Sequence, residues 1–251
     1  MSAPNIGAAH AFTTRAGGAS TGVYSSLNLG VTIGDDPDNV RENFALVCAA
    51  LDISDSDIVR LRQIHGSHVR VVTREDRCSL YSPDPYNADG LLTCDSGVAL
   101  AVFTADCVPL LLHDPVRGVI GAVHAGWRGT AADIAGVAVR KMTDVFGCRP
   151  ADIRAAIGPC ISGCCYETGR DVPNALRILL GDEADICISA RGEKYMVSLK
   201  DANRLLLTRA GLCDIAVSDE CTACLNTIYW SHRVTGGKRG SQAAIIVMKA
   251  Q

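Results

Sequence analysis

The chain has 251 residues, 48% of them apolar and 20% charged, enough to bury a sizeable core in one large domain. Its formal charge is −3, from 24 basic and 27 acidic residues, and the basic residues are scattered singly; this excludes an electrostatic footprint for nucleic acid or a membrane surface and leaves small molecules as the expected partners. The N-terminus lacks a basic segment followed by an apolar run, and the apolar run ending at His113 is interrupted by Asp106, so the expectation is a soluble, cytoplasmic protein without a membrane span.

The first forty residues are turn-rich: AFTTRAGGAS, SSLNLG and IGDDPDN set Gly, Ser, Asn and Asp between single apolar residues, a composition that builds loops around a site more readily than core. Arg15 and Asn28 are the polar side chains of interest there, against the plainer reading of a solvated arginine and an asparagine holding a turn. From Asp38 to Ile53 the residues Val40, Phe44, Val47 and Leu51 recur at helical intervals after Asp38 or Asn39 as N-cap, which predicts an amphipathic helix. Ile58 to Leu61 and Val69 to Thr73 read as strands separated by RQIHGSH, where His65 precedes Gly66 and His68 follows; either imidazole is a turn residue or a metal ligand. Cys78 to Ala88 reads as a polar loop with two prolines, followed by the strands DGLLT, entered from Asp89, and VALAVFTADC, which ends at Asp106.

The stretch TADCVPLLLHDPVRGVIGAVHAGWRG, Thr104 to Gly129, reads as two apolar strands joined by the turn-forming HDPVRG, with Cys107 opening the first and His124 closing the second. A hairpin of this kind brings the thiol and the imidazole together. Thr130 to Phe146 then reads as a helix with Thr130 as cap and Gly147 as stop, and Arg128, at the turn feeding it, is a candidate to hold phosphate or carboxylate, set against an exposed arginine at a helix start. IRAAIGPCISGCCYETG reads as a strand ending in a loop with three cysteines; Val172 to Leu180 and Leu199 to Ala210 read as helices, Ile215 to Val217 as a short strand and AAIIVM as the closing strand after ECTAC, TIYWSHR and a Gly-Lys-Arg-Gly turn. Strands and helices mix without strict alternation, which argues for the α+β class.

Twelve cysteines are too dilute for a disulfide scaffold, and those inside apolar runs, such as Cys48 and Cys187, read as buried small hydrophobes. Cys160, Cys164, Cys165, Cys221 and Cys224 have spacings that a four-thiolate structural zinc uses, but their flanks lack the polar and glycine residues of zinc knuckles, so buried thiols are the default reading. Cys107 and His124 suit a nucleophile with its base. With His65 they equally suit the three ligands of a catalytic zinc, whose fourth position stays open.

The blocks TTRAGG, SLNLG, RQIHGSHV, ADGLLT, TADCVPLLL, AVHAGWRGT, AAIGPCISGCCYETG, CTAC and YWSHR, in that order from about Thr13 to Val247, resemble the family of multifunctional purine nucleoside enzymes formerly named multicopper polyphenol oxidases or laccase-domain proteins. The resemblance implies a single domain over residues 1–251 with layered, mixed sheets in an α/β/β/α-type sandwich. It also implies a zinc held by His65, Cys107 and His124, phosphorolysis of adenosine, inosine and methylthioadenosine, and deamination of adenosine. For deamination a nearby carboxylate, Asp106 or Glu167, is the expected proton shuttle; for phosphorolysis Arg15, Arg128 and Arg233 are candidates for phosphate, and Asn28 for ribose or base. Many relatives carry an extra basic residue after SHR, so a role transfers to Arg233 and not to Val234.

Three rival readings use the same sequence. A cysteine hydrolase would take Cys107 as nucleophile and His124 as base, acting on peptide or cell-wall amide substrates. A copper polyphenol oxidase would want imidazole-rich centres that six dispersed histidines do not supply. A non-catalytic binding module would hold no metal and turn over no nucleoside. Nothing demands an oligomer, so a monomer is compatible with the sequence.

Overall fold

The computed structural model describes residues 1–80, 82 and 86–249. Pro83 and Pro85, the two prolines of the loop expected between Cys78 and Ala88, lie outside the described residues. The expected hairpin is the centre of the molecule. β6 (Val108–Asp114) and β7 (Val119–Ala125) pair antiparallel, with Val108 opposite Ala125 and Pro109 opposite His124, and every residue of both strands is buried. They are the middle strands of a six-stranded sheet. On one side β6 pairs with β8 (Arg154–Ile157), which runs parallel to β12 (Asp214–Val217); on the other β7 pairs with β4 (Gly90–Thr93), which runs parallel to β3 (Val69–Val71).

Because successive side chains alternate across a strand, an unbroken apolar run must be covered on both faces. Leu110 and Leu112 pack with α3 (Ile134–Phe146) and α5 (Leu199–Arg209), while Leu111 between them packs with Leu100, Val102, Ala244 and Ile246 of a second sheet. That sheet has the order β1 (Ala9–Phe12), β13 (Gln242–Val247), β5 (Ala99–Thr104), β2 (Ile58–Val59). Its outer face, Ala99, Ala101, Ala243 and Ile245, is covered by Phe44, Val47 and Leu51 of α1 (Pro37–Leu51). The result is the α/β/β/α layering of mixed sheets that the family resemblance implies. A small third sheet, β10 (Ile188–Arg191), β11 (Lys194–Val197) and β9 (Glu167–Thr168), and α4 (Asp171–Leu180) flank the helical layer. Among the described residues no helix is long and apolar enough to cross a membrane.

Three local expectations shift. The cap of α1 is Asp36, whose side chain accepts from Asp38 N at 2.9 Å, and Pro37 takes the first helical position; the cap is therefore earlier than Asp38 or Asn39. The helix expected over 130–146 is two helices. α2 (Trp127–Ala131) ends before Asp133, whose φ of 56° breaks the chain direction and whose side chain then caps α3. Thr130 is thus inside α2 and accepts from Asn203 Nδ2 at 2.9 Å instead of capping. The strand β1 and the pair β10–β11 form in polar or turn-rich sequence that carries no strand signature; β1 is an edge strand and β10 is largely exposed, so neither shows a strong apolar alternation. Cys48 and Cys187 are buried, as expected, and so are Cys160 and Cys221; Cys164 and Cys224, read by default as buried thiols, are instead exposed.

Candidate active site

The hairpin register puts Cys107, one residue before β6, and His124, near the end of β7, at the same edge of the sheet. His65 reaches them from the loop between β2 and β3. The donor atoms of His65, Cys107 and His124 lie within 4.8 Å of one another, and the two imidazole rings meet edge to face at 4.8 Å between centroids.

One carboxylate organises this arrangement. Asp89, fully buried at the entry to β4, accepts from His124 Nδ1 at 2.9 Å, and its two oxygens also accept the backbone N–H groups of Ile64 (3.3 Å), His65 (2.9 Å) and Gly66 (2.7 Å). His65 has φ of 58°, in the left-handed region that a non-glycine residue enters at a cost. Three successive N–H groups closing on a buried anion offset that cost, as in the backbone nests that hold anions. With Nδ1 committed to Asp89, His124 turns Nε2 toward Cys107 and His65, the tautomer that carboxylate-backed metal ligands use. Gly126 completes the geometry by its bareness: a Cβ there would stand 3.0 Å from His65 Cδ2 and 3.4 Å from Cys107 Sγ.

The electrostatics follow from the same neighbours. Burial pushes the Cys107 thiol up, but the imidazoles of His124 and His65 outweigh it and bring the pKa down to about 6. Burial opposes charge on His124 too, yet the Cys107 thiolate and the Asp89 carboxylate raise it to about 9. Asp89 is held below its usual range, because its hydrogen bonds from His124, Gly66 and His65 exceed the cost of burial.

His65, Cys107 and His124 form part of the wall of a cavity of about 600 Å³, within the range of small-molecule sites, with Asp89 buried behind them. Apolar surface comes from Leu61, Phe103, Ile161 and Tyr166, and four arginines, Arg60, Arg62, Arg233 and Arg239, also line it. Arg233, at the start of α6 (His232–Thr235), donates from Nη1 to the carbonyls of Cys165 (3.3 Å) and Glu167 (3.0 Å). Arg239 Nη1 donates to Ser241 Oγ at 2.8 Å, while its Nε is buried without a hydrogen bond among the described residues.

Of the expected site residues, His65, Cys107, His124, Asp106 and Arg233 line this cavity, and Arg15, Asn28 and Arg128 do not. Arg15 stacks on Trp230 at 4.1 Å and donates to the carbonyls of Ser25 and Asn226, tying the first loop to the last. Asn28 is fully buried; it donates to Asp35 and its Oδ1 accepts from Gly30 N and Ser241 N. Arg128 is exposed and lies over the Trp127 ring at 4.3 Å. Asp106 sits at φ 92° and accepts from Thr222 Oγ1 (2.6 Å), Ser231 Oγ (3.1 Å) and Arg233 N (2.7 Å). A carboxylate so occupied anchors loops, which favours a positioning role over the proton transfer expected of it. The alternative shuttle, Glu167, faces Arg191 on exposed β9. Asp89 and Arg239 join the site with no sequence signal for that role: the first precedes a strand, and the second lies in the Gly-Lys-Arg-Gly turn.

Comparison with known proteins gives a consistent picture. The model of the family described as multi-copper polyphenol oxidoreductase laccase matches residues 9–249. A protein of Deinococcus radiodurans named purine nucleoside phosphorylase is 43% identical over 247 residues, covering 98% of this chain and 91% of that protein. One of Geobacillus stearothermophilus, named purine nucleoside phosphorylase YlmD, is 38% identical over 249 residues, covering 97% and 91%. The crystal structure of YlmD from Geobacillus stearothermophilus superposes with a TM-score of 0.95 at 37% identity, over 99% of this chain and 94% of that one.

Proposed function

The chain belongs to the multi-copper polyphenol oxidoreductase laccase family, and we propose that it is a zinc-dependent purine nucleoside enzyme that cleaves adenosine, inosine and methylthioadenosine with phosphate and deaminates adenosine. The observation that carries this reading is the convergence of His65, Cys107 and His124 beside a cavity of nucleoside size that also exposes Arg233 and Arg239. The names of the relatives from Deinococcus radiodurans and Geobacillus stearothermophilus point the same way.

The donor set fits zinc. Two imidazoles and one easily ionised thiolate suit a borderline cation, three protein ligands leave a position for substrate or water, and Asp89 supplies the carboxylate partner that orients His124. Held there, zinc would act as a Lewis acid on the reacting group. Copper centres would need more imidazole: among the described residues no histidine beyond His65 and His124 joins a metal-competent group.

The chain's own residues divide the remaining work. In phosphorolysis a phosphate oxygen bonds to C1′ as the C1′–N9 bond breaks, and the incoming dianion needs fixed cations; Arg233 and Arg239 supply them, the buried Nε of Arg239 being a donor still to be satisfied. In deamination the oxygen of water bonds to C6 as the C6–N bond breaks and the amino group leaves as ammonia, and no second anion is required. Leu61, Phe103 and Tyr166 offer apolar and aromatic surface to the base and keep bulk water away from it.

A second reading is favoured by one specific geometry: Cys107, His124 and Asp89 stand in the order nucleophile, base and orienting acid. Metal distinguishes the two. Changing His65, Cys107 or His124 to Ala should remove the pocket zinc and nucleoside turnover together. His68, exposed, and His113, which accepts from Gly7 N at 3.3 Å, should be replaceable by Ala with both retained. Full nucleoside activity in zinc-free protein would overturn the metal reading.

A further inference from the structure

We propose that Cys164, Cys165, Cys221 and Cys224 form a second, closed zinc site that staples together the two loops carrying part of the pocket wall. The site stands whichever reaction the pocket performs.

The four sulfurs lie within 4.8 Å of one another, with Cys165–Cys224 at 3.4 Å, Cys164–Cys224 at 3.6 Å and Cys164–Cys165 at 3.8 Å. A tetrahedron built on metal–sulfur bonds of ~2.3 Å has edges of about 3.8 Å, so these three separations match those between thiolates around one zinc, with the Cys221 sulfur within 4.8 Å of each of the others. They are far longer than the ~2.05 Å of a disulfide. Four sulfurs in a tetrahedral set select zinc or iron among common metals, and zinc is the ion for a closed structural site.

The supporting backbone is already in place. β8 and β12 run parallel as neighbours, so the loops that follow them leave the same edge of the sheet. Cys160 and Cys221 bridge those loops, and Thr222 N donates to Cys160 O at 3.1 Å. Ser162 N donates to Cys221 Sγ at 3.3 Å, the kind of N–H···S contact that stabilises a metal-bound thiolate and that the flanking sequence does not advertise. Cys221 is buried, while Cys164 and Cys224 are exposed, which gives an ion a way in without unfolding. Four thiolates around one divalent cation carry a net double negative charge. The buried ammonium of Lys200 donates to the carbonyls of Ser218 (2.6 Å) and Glu220 (3.1 Å) on the segment entering Cys221, with no carboxylate partner among the described residues. It puts a fixed positive charge on the strand of chain that carries the site.

The staple bears on the pocket. The first loop presents Ile161 and Tyr166 to the cavity and supplies the Cys165 and Glu167 carbonyls that hold Arg233. The second carries Thr222, which donates to Asp106.

The test is metal content per folded chain, with zinc-edge X-ray absorption, on protein purified without chelator. Wild type should carry two zinc ions, and Cys107→Ala one, surrounded by four sulfurs. Cys224→Ser should lose that ion and keep the pocket one; Cys213→Ser, at an exposed thiol outside both groups, should keep two. No metal in Cys107→Ala, a shell containing nitrogen, iron in place of zinc, or disulfides among the four cysteines in non-reduced peptide maps would each overturn the proposal. If Cys224→Ser does not fold, the shell measured in Cys107→Ala decides. Wild type with one all-sulfur zinc would uphold this site while refuting the pocket metal.

Discussion

Asp89 is bound at once to His124, through Nδ1 at 2.9 Å, and to the backbone of the loop that carries His65, so one buried carboxylate sets the mutual position of two imidazoles from distant parts of the chain. Asp89→Asn keeps the shape but replaces an acceptor of four hydrogen bonds with a group that must donate at one oxygen's place. We expect roughly 10- to 100-fold weaker binding of the pocket zinc, the usual effect of removing such a partner, with turnover falling to match and recovering in excess zinc. Chelator-competition titration reads it; unchanged affinity would show that Asp89 merely supports the fold.

Gly126 tests the tightness of the same centre. Adding one methyl by Gly126→Ala places a carbon 3.0 Å from the His65 ring and 3.4 Å from the Cys107 sulfur, so the ring must yield by a few tenths of an ångström. Thermal stability without metal should change little, and zinc affinity should drop measurably. Equal affinity in the variant would mean that His65 is free to move and is not fixed by its loop.

The arginines should separate the two proposed purine reactions. Each charge-assisted contact to phosphate contributes roughly 1.5–3 kcal/mol, or about ten- to a hundredfold in rate. Arg239→Ala and Arg233→Ala should slow release of adenine and ribose 1-phosphate by that factor while inosine formation falls much less. Arg128→Ala, at an exposed position off the cavity, should have a small effect on both. Equal loss of the two activities in the Arg239 and Arg233 variants, with zinc retained, would place these residues in purine positioning or in the fold.

The thiol of Cys107 gives a pH signature. Its pKa is lowered from 9.0 to about 6 by the imidazoles, so in metal-free protein the thiolate is present above about pH 6 and lost as pH falls through it. Alkylation by iodoacetamide should therefore rise through a midpoint near about 6, and added zinc should suppress it. A midpoint near 9.0 would deny the imidazole partnership.

The central hairpin and its flanking layers are legible in the sequence because a continuous apolar run bounded by HDPVRG admits few other folds, and register then brings Cys107 to His124. The trio His65, Cys107 and His124, as candidate ligands, follows from residue type once the blocks are matched. Asp89 is not legible as its organiser: the N–H groups it accepts come from residues 23 to 25 positions earlier, and nothing local announces them. Arg239 fails for a similar reason. Gly-Lys-Arg-Gly announces only a turn, whereas Gly240 lies so close to Trp230 that an added Cβ would be 2.5 Å from its ring, and the turn is drawn inward. Arg15 and Asn28 are recognisable as polar loop residues, but their partners, Asn226 and Trp230 for one and Ser241 for the other, are more than two hundred residues away, so the sequence does not reveal that they brace the wall instead of facing the cavity.

The most direct test of the account incubates the zinc-loaded protein with adenosine, with and without phosphate, and resolves adenine, inosine and hypoxanthine, with His124→Ala in parallel. The account predicts adenine and ribose 1-phosphate only when phosphate is present, inosine in both cases, and neither product from His124→Ala. Adenosine left intact by zinc-loaded wild type, or consumed equally well by the variant, would contradict it.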